Sequence, residues 1–160
     1  MAQTARVKER QAAQAQRIKQ AQAFLMPDHI DVAILGGGAA GLCAAITTAE
    51  ALGANKRVVI FEKALESGRT ILATGGGRCN FTNADLSFEN FSHPEFVQAV
   101  CKDKDTFLAD ILAFFRSSGL AWATEDEGRM YPLTRQASSI QSLLLKRAQK
   151  AGVQFALGRE

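Results

Sequence analysis

Cysteine is scarce and scattered. Cys43, Cys79 and Cys101 are odd in number and widely spaced, and none belongs to a CxxC pair, which argues against a disulfide framework or a thiolate zinc site and fits the reducing cytoplasm. No metal is expected. The sequence lacks an apolar run long enough to cross a bilayer, and no short hydrophobic segment follows the basic start, so neither a membrane span nor a secretory leader is expected. Serine is missing until Ser67, which argues against an organelle transit peptide. Positive charge is concentrated in one place: of 19 lysines and arginines, five fall within residues 1–20 beside a single acid, Glu9, so that segment carries +4 and the remainder −1 of a total of +3. A basic patch confined to a polar tail, with no matching surface on the folded part, is a poor argument for nucleic-acid binding. Neither histidine, His29 or His93, stands where it would be identified as a general base.

What is present reads as one α/β domain of 160 residues, 47% of them hydrophobic, with a polar extension over residues 1–27 and the domain over 28–160. Residues 2–24 are rich in Ala and Gln, with apolar side chains only at scattered points such as Val7, Ile18 and Phe24. Such a helix has no face to bury, and Pro27 closes the segment. Residues 1–25 are therefore expected to be dispensable, with Met26 as the functional start. An apolar run over 30–35, three glycines and an Ala-rich stretch over 39–52 give strand, tight turn and helix. Gly53 and Asn55 supply a stop, and residues 58–61 form a second strand of the continuous apolar kind that a parallel sheet buries on both faces.

An irregular stretch over residues 63–94 contains a second glycine cluster, and loops of that length are usually functional or disordered. Helical spacing returns from Asp105 to Gly119, where Phe107, Leu108, Ile111, Leu112, Phe114 and Phe115 mark a core stripe. Residues 121–124 and 129–131 suit a small hairpin outside the main sheet. Ser138 or Ser139 is expected to cap a helix that turns Ile140, Leu143, Leu144 and Ala148 inward and places Lys146, Arg147 and Lys150 at its C-terminal end. Gly152 ends that helix, and residues 153–157 read as a third parallel strand.

Gly36-Gly37-Gly38-Ala39-Ala40-Gly41 matches GxGxxG. Gly36 permits the tight turn, Gly38 lets backbone approach a pyrophosphate and Gly41 allows close packing of helix on strand, while the first N–H groups of the helix hold the phosphates. The match follows a strand, opens a helix and is followed by Glu62 at the end of the second strand, where a carboxylate can accept hydrogen bonds from both ribose hydroxyls of an adenosine. Lys63 beside it joins the candidate cofactor set. Together these features give a doubly wound Rossmann-like domain, and the fingerprint alone serves NAD and FAD equally.

The second cluster discriminates. Residues 68–83 read GRTILATGGGRCNFTN, which resembles the aminoacetone-oxidase-like, BaiN-type family of FAD-dependent oxidoreductases, whose loop is close to GRKILxTGGGRCNxTN. The likeness runs from about Asp31 onward and includes Gly128-Arg129-Met130-Tyr131-Pro132. It implies a glutathione-reductase-like FAD-binding domain, truncated here before a substrate domain and a late glycine motif. It also implies a flavoprotein oxidoreductase acting on a small molecule, with NAD(P)H as a candidate electron donor; no nucleic-acid partner and no membrane are expected, on the charge distribution and the lack of a long apolar run. Thr70 departs from the family's lysine and carries no charge at that position.

With FAD as cofactor, the expected contacts from this loop are Arg69, Gly75, Gly76, Gly77, Arg78, Cys79 and Asn80. The two guanidiniums would meet phosphate or the electron-rich side of the flavin, and Asn80 and Thr82 would meet ring edges. Cys79, with no second cysteine beside it, is expected to be small and inert, and Cys43 a packing residue. No residue is marked as catalytic, and the 160 residues alone are expected to be inactive. Two rivals stay open: the fragment of an NAD dehydrogenase, and a non-catalytic nucleotide-binding remnant.

Overall fold

The structure, a computed structural model, describes residues 2–101 and 103–159; Met1 and Glu160, the outer bounds of the expected extension and domain, lie outside the described residues. In chain order the elements are α1 (Ala2–Ala23), β1 (Val32–Leu35), α2 (Ala39–Leu52), β2 (Val58–Glu62), β3 (Thr82–Asn83), α3 (Pro94–Cys101), α4 (Lys104–Ser117), β4 (Trp122–Thr124), β5 (Arg129–Pro132), α5 (Ala137–Lys150) and β6 (Gln154–Leu157). The chain forms two compact units. One runs to Arg69 and resumes at Leu145; the other is Thr70–Leu144.

The first unit is built on a parallel sheet of order β1-β2-β6, with Val32 opposite Val58 and Val59 opposite Gln154. Its central strand β2 buries Val58, Val59 and Ile60 in succession, as a strand covered on both faces must. Each connection steps one strand further in the same direction, which is the winding of one half of a doubly wound sheet. Helix α2 buries Leu42, Ala45, Ile46 and Ala49, a stripe at i, i+3, i+4 and i+7. Cys43 lies half-buried beside that stripe, and burial pushes its thiol pKa up. On the outer side, Arg147 near the end of α5 donates Nε and Nη2 to the two carboxylate oxygens of Glu50, both at 2.8 Å, and this pairing lowers the glutamate's pKa.

Asp31, one residue before β1, closes the strand-start end of this sheet. Its carboxylate accepts the Arg57 N–H at 2.8 Å and the Lys56 ammonium at 3.0 Å, and His29 lies 3.4 Å away. The Arg57 N–H first, then Lys56, pull its pKa down to about 2. A carboxyl whose folded pKa lies below its unfolded value of about 3.9 stabilises the fold above that value, and the contribution fades as pH falls towards 2. Asp31→Asn should therefore melt below wild type at pH 6, and the two melting curves should converge between about pH 4 and 2. A gap that is constant over that range would contradict the assignment.

Helix α1 is exposed along most of its length, with Val7 and Ile18 in solvent, but its last turns are not free. Ala21 is only 8% exposed, a small cavity is lined by Ile18, Ala21 and Gln22 with Leu65 and Leu157, and Arg17 pairs with Glu66 at 2.8 Å. The expectation of no buried face is corrected only at Ala21, the one buried side chain of this helix among the described residues, which leaves no periodicity to read.

The second unit carries a separate antiparallel sheet of order β3-β5-β4, with Thr82 opposite Met130 and Ala123 opposite Tyr131. The expected hairpin is β4 and β5. Helix α4 starts one residue earlier than expected because Asp103 caps it, accepting the Thr106 N–H at 2.8 Å. Of its expected core stripe only Phe115 is fully buried, and the other five side chains are half-buried. Phe81 stands between Phe115 and Trp122, with ring centroids at 4.7 Å and 6.1 Å. Helix α5 begins at Ala137, so Ser138 and Ser139 lie inside its first turn and neither is the cap. Thr134 stands before the helix, its hydroxyl 2.7 Å from that of Ser139 and accepting the Gln136 N–H.

Candidate dinucleotide site

After Leu35 the chain must reverse within three residues to begin α2, and Gly36, Gly37 and Gly41 are each needed for a different reason. Gly36 has φ +95°, a left-handed value that disfavours a side chain, although nothing occupies the space where a Cβ would stand. Its N–H donates to the Phe61 carbonyl at 2.8 Å, carrying the β1–β2 ladder into the turn. At Gly37 the limit is space: a Cβ would run into the side chain of Ser67 and lie 3.2 Å from Glu62 Oε2. Gly38 caps α2 in extended backbone, φ −75° and ψ −170°, and no side chain takes the helix's first N–H groups. At Gly41 a Cβ would overlap the Gly36 carbonyl oxygen and stand 3.5 Å from Ile34 Cγ2, so turn and helix close on each other only without one.

Glu62 ends β2 with both carboxylate oxygens aimed by backbone. Oε2 accepts the Gly37 N–H at 2.7 Å and Oε1 accepts the Ala64 N–H at 2.8 Å. The loop that follows is tied to the same turn, since the Gly68 N–H donates to the Gly37 carbonyl at 2.6 Å, and Ser67 is buried. An ionised carboxylate has about four acceptor positions, so two stay available for a diol. The N–H groups of Ala39, Ala40 and Gly41, in the first helical turn, have no intrahelical acceptor and stand at the positive end of the helix dipole. A turn without side chains, free helix-start donors and a pre-aimed carboxylate fit the pyrophosphate and ribose of a dinucleotide. Lys63 and Arg69 are exposed in the same unit. Two members of this constellation, Gly37 and Ser67, were missed by sequence reasoning; the only signals were the uninterrupted glycine run and a Ser-Gly pair shortly after the strand.

The other expected residues belong to the second unit. Three successive glycines, Gly75, Gly76 and Gly77, have φ of +55°, +64° and +84°, and Cys79 follows at +60°. These left-handed residues fold the loop onto itself, with the Cys79 N–H donating to the Thr74 carbonyl at 3.0 Å. Cys79 is 6% exposed. Arg78 is engaged inside the unit: Nη1 donates to Glu125 at 3.1 Å, Nη2 to the Tyr131 hydroxyl at 3.4 Å, and the guanidinium lies 4.3 Å from the Tyr131 ring centre. Glu125 also pairs with Arg135 at 2.9 Å. Asn80 accepts the Met130 N–H at 3.2 Å through its side-chain oxygen. The loop is thereby fastened to β5 and to the turn joining β4 and β5.

A parallel β-α-β unit with this turn and this carboxylate defines a Rossmann-type dinucleotide-binding domain. The family described as HI0933-like protein Rossmann domain matches residues 30–160, and the chain belongs to that family, whose members are FAD-binding oxidoreductases. The chain is 38% identical over 129 residues to the 3-dehydro-bile acid delta(4,6)-reductase of Clostridium scindens, covering 79% of the chain and 31% of the relative. It is 30% identical over 136 residues to the ribosomal RNA dihydrouridine synthase of Escherichia coli, covering 83% and 32%. It thus spans about a third of the length of these relatives. Among solved structures, THI4 of Thermovibrio ammonificans shares the fold, with a TM-score of 0.52 at 18% identity over 98% of the chain and 46% of that protein. Among the described residues no helix is long and apolar enough to cross a membrane, and no three His, Cys, Asp or Glu residues form a group able to hold a metal ion.

Proposed function

We propose that this chain is the FAD-holding part of a flavoprotein reductase that adds hydrogen across a carbon–carbon double bond conjugated to a carbonyl, in a small molecule. The carrying observation is the Glu62 carboxylate, fixed by the Gly37 and Ala64 N–H groups beside a turn without side chains. In this reading Gly36, Gly38, Ala39, Ala40 and Gly41 meet the pyrophosphate, Glu62 and Lys63 the adenosine side, and Arg69 with residues 75–80 the flavin side. Bound FAD supplies a hydride acceptor and donor; the chain's own residues bind and orient it. The bond type is supported by the two relatives' names, a delta(4,6)-reductase and a dihydrouridine synthase, each of which describes saturation of a ring double bond conjugated to a carbonyl. Reduced nicotinamide is the proposed source of the two electrons.

The ribosomal RNA in one relative's name reopens the question of a nucleic-acid partner. Charge favours the small molecule: the +4 segment lies before residue 30, where the family match begins, and the remainder of the chain carries −1. Three free cysteines support a reducing compartment, the cytoplasm. The test is the visible spectrum of protein purified from the complete reading frame. It should be yellow, bleach with NAD(P)H in the absence of air, and recover its colour on addition of a cyclic enone. Colourless protein that cannot be reconstituted with FAD would return the NAD-dehydrogenase reading. Bound flavin that no nicotinamide bleaches would leave the non-catalytic one.

A further inference from the structure

The second unit holds a cavity of about 350 Å³, within the range of small-molecule sites. Its walls include the rings of Phe81, Phe91 and Phe107, and none of its lining side chains is charged. The Phe81 ring is held edge-on by Phe115 and Trp122, at 61° and 69°, so it is a fixed wall. Its polar lining comes from Asn80, Thr82, Asn83, Ser87 and Asn90, and not all of it is free to meet a ligand. Asn83 is spent on its own loop, its amide nitrogen donating to the Glu127 carbonyl at 2.8 Å and its oxygen accepting the Asp85 N–H at 2.7 Å. Asn80 uses only its oxygen, on Met130, and keeps its amide nitrogen as a donor; Thr82 adds a hydroxyl.

Aromatic walls with a few donors and no ionised side chain favour one kind of occupant. A phosphate or carboxylate would lose its hydration against these walls with no cation to replace it, and an ammonium would find no carboxylate. A flat uncharged ring stacks on phenyl faces, and carbonyl oxygens on its edge take the donors. We propose that this cavity binds a neutral, flat ring compound bearing a carbonyl, the substrate of the reductase. The assignment rests on the reading that residues 75–80 border the flavin, because Asn80 belongs both to that loop and to the cavity lining.

The test uses the full-length protein and titration calorimetry with two probes, androst-4-ene-3,17-dione as a neutral ring enone and uridine 5′-monophosphate as a charged ring. The dione should bind at least tenfold more tightly than the nucleotide. Phe107→Ala should weaken the dione at least tenfold, and Phe107→Leu, which keeps an apolar side chain but loses the flat face, should weaken it less while melting as wild type does. Flavin absorbance of the same samples separates the two readings. Full flavin content with no dione binding, or with binding indifferent to both Phe107 variants, overturns the cavity assignment alone, as does tighter binding of the nucleotide. Protein that neither carries nor takes up FAD overturns the reading above and, with it, the assignment of a reductase substrate to this cavity, whatever the dione does.

Discussion

Replacing Gly38 by valine should give full-length protein that is folded and colourless. Gly38 sits in extended backbone at φ −75° and ψ −170°, a conformation any residue adopts, so the substitution carries no left-handed strain. Its cost to the fold is a poorer helix start, about 1 kcal/mol or less. Its cost to binding is far larger, because a branched side chain at the helix cap fills the space through which the phosphates reach the first-turn N–H groups. Affinity for FAD should fall by at least about a hundredfold, or roughly 2.7 kcal/mol. Gly41→Ala is the contrasting control. Its single added carbon meets the Gly36 carbonyl oxygen whether or not a ligand is bound, so the fold itself should lose about 1–3 kcal/mol. Flavin absorbance and thermal melting of both variants separate the effects. A Gly38→Val protein as yellow as wild type would remove the pyrophosphate from this turn.

The parts of the fold that were legible in the sequence are those in which one local rule decides the structure. Helix α2 runs from Ala39 to Leu52 as expected because a glycine turn starts it, a glycine stops it and alanine and leucine fill it. Strand β2 follows from an unbroken apolar run, Val58 to Phe61, that opens on three β-branched residues. What was not legible depends on partners distant in the chain. Strand β3 is two residues long and exists because Met130 and Arg129 pair with it. Helix α3 has a proline at its first position and a glutamate in its first turn, both start signals, yet Phe96 and Val100 point to solvent at 67% and 64% exposure, so no buried stripe announces it. Within the site, GxGxxG and Glu62 are readable from spacing, but the bond between them is not. The need for glycine at position 37 arises from Ser67 and Glu62, which only the folded turn brings against it.

That bond changes what Glu62→Gln should do. From sequence, Glu62 is a ligand for ribose, and glutamine would lose a charge-assisted acceptor, worth about 1.5–3 kcal/mol of affinity or one to two decades. In the folded protein the carboxylate accepts two backbone N–H groups at once, from Gly37 at 2.7 Å and from Ala64 at 2.8 Å. An amide has one oxygen. Whichever way glutamine turns, its N–H₂ faces one of those N–H groups, so a part-buried donor loses its acceptor and meets another donor. The apo protein should therefore lose stability as well, by about 1–3 kcal/mol. The affinity loss should exceed the ribose contribution, because the turn that receives the pyrophosphate loses the clamp at Gly37. Thermal melting of the flavin-free protein and FAD titration together decide the matter. Weakened FAD binding with unchanged apo stability would mean that Glu62 serves the ligand alone, whereas losses in both would make it a strut of the turn as well as a ligand for the ribose.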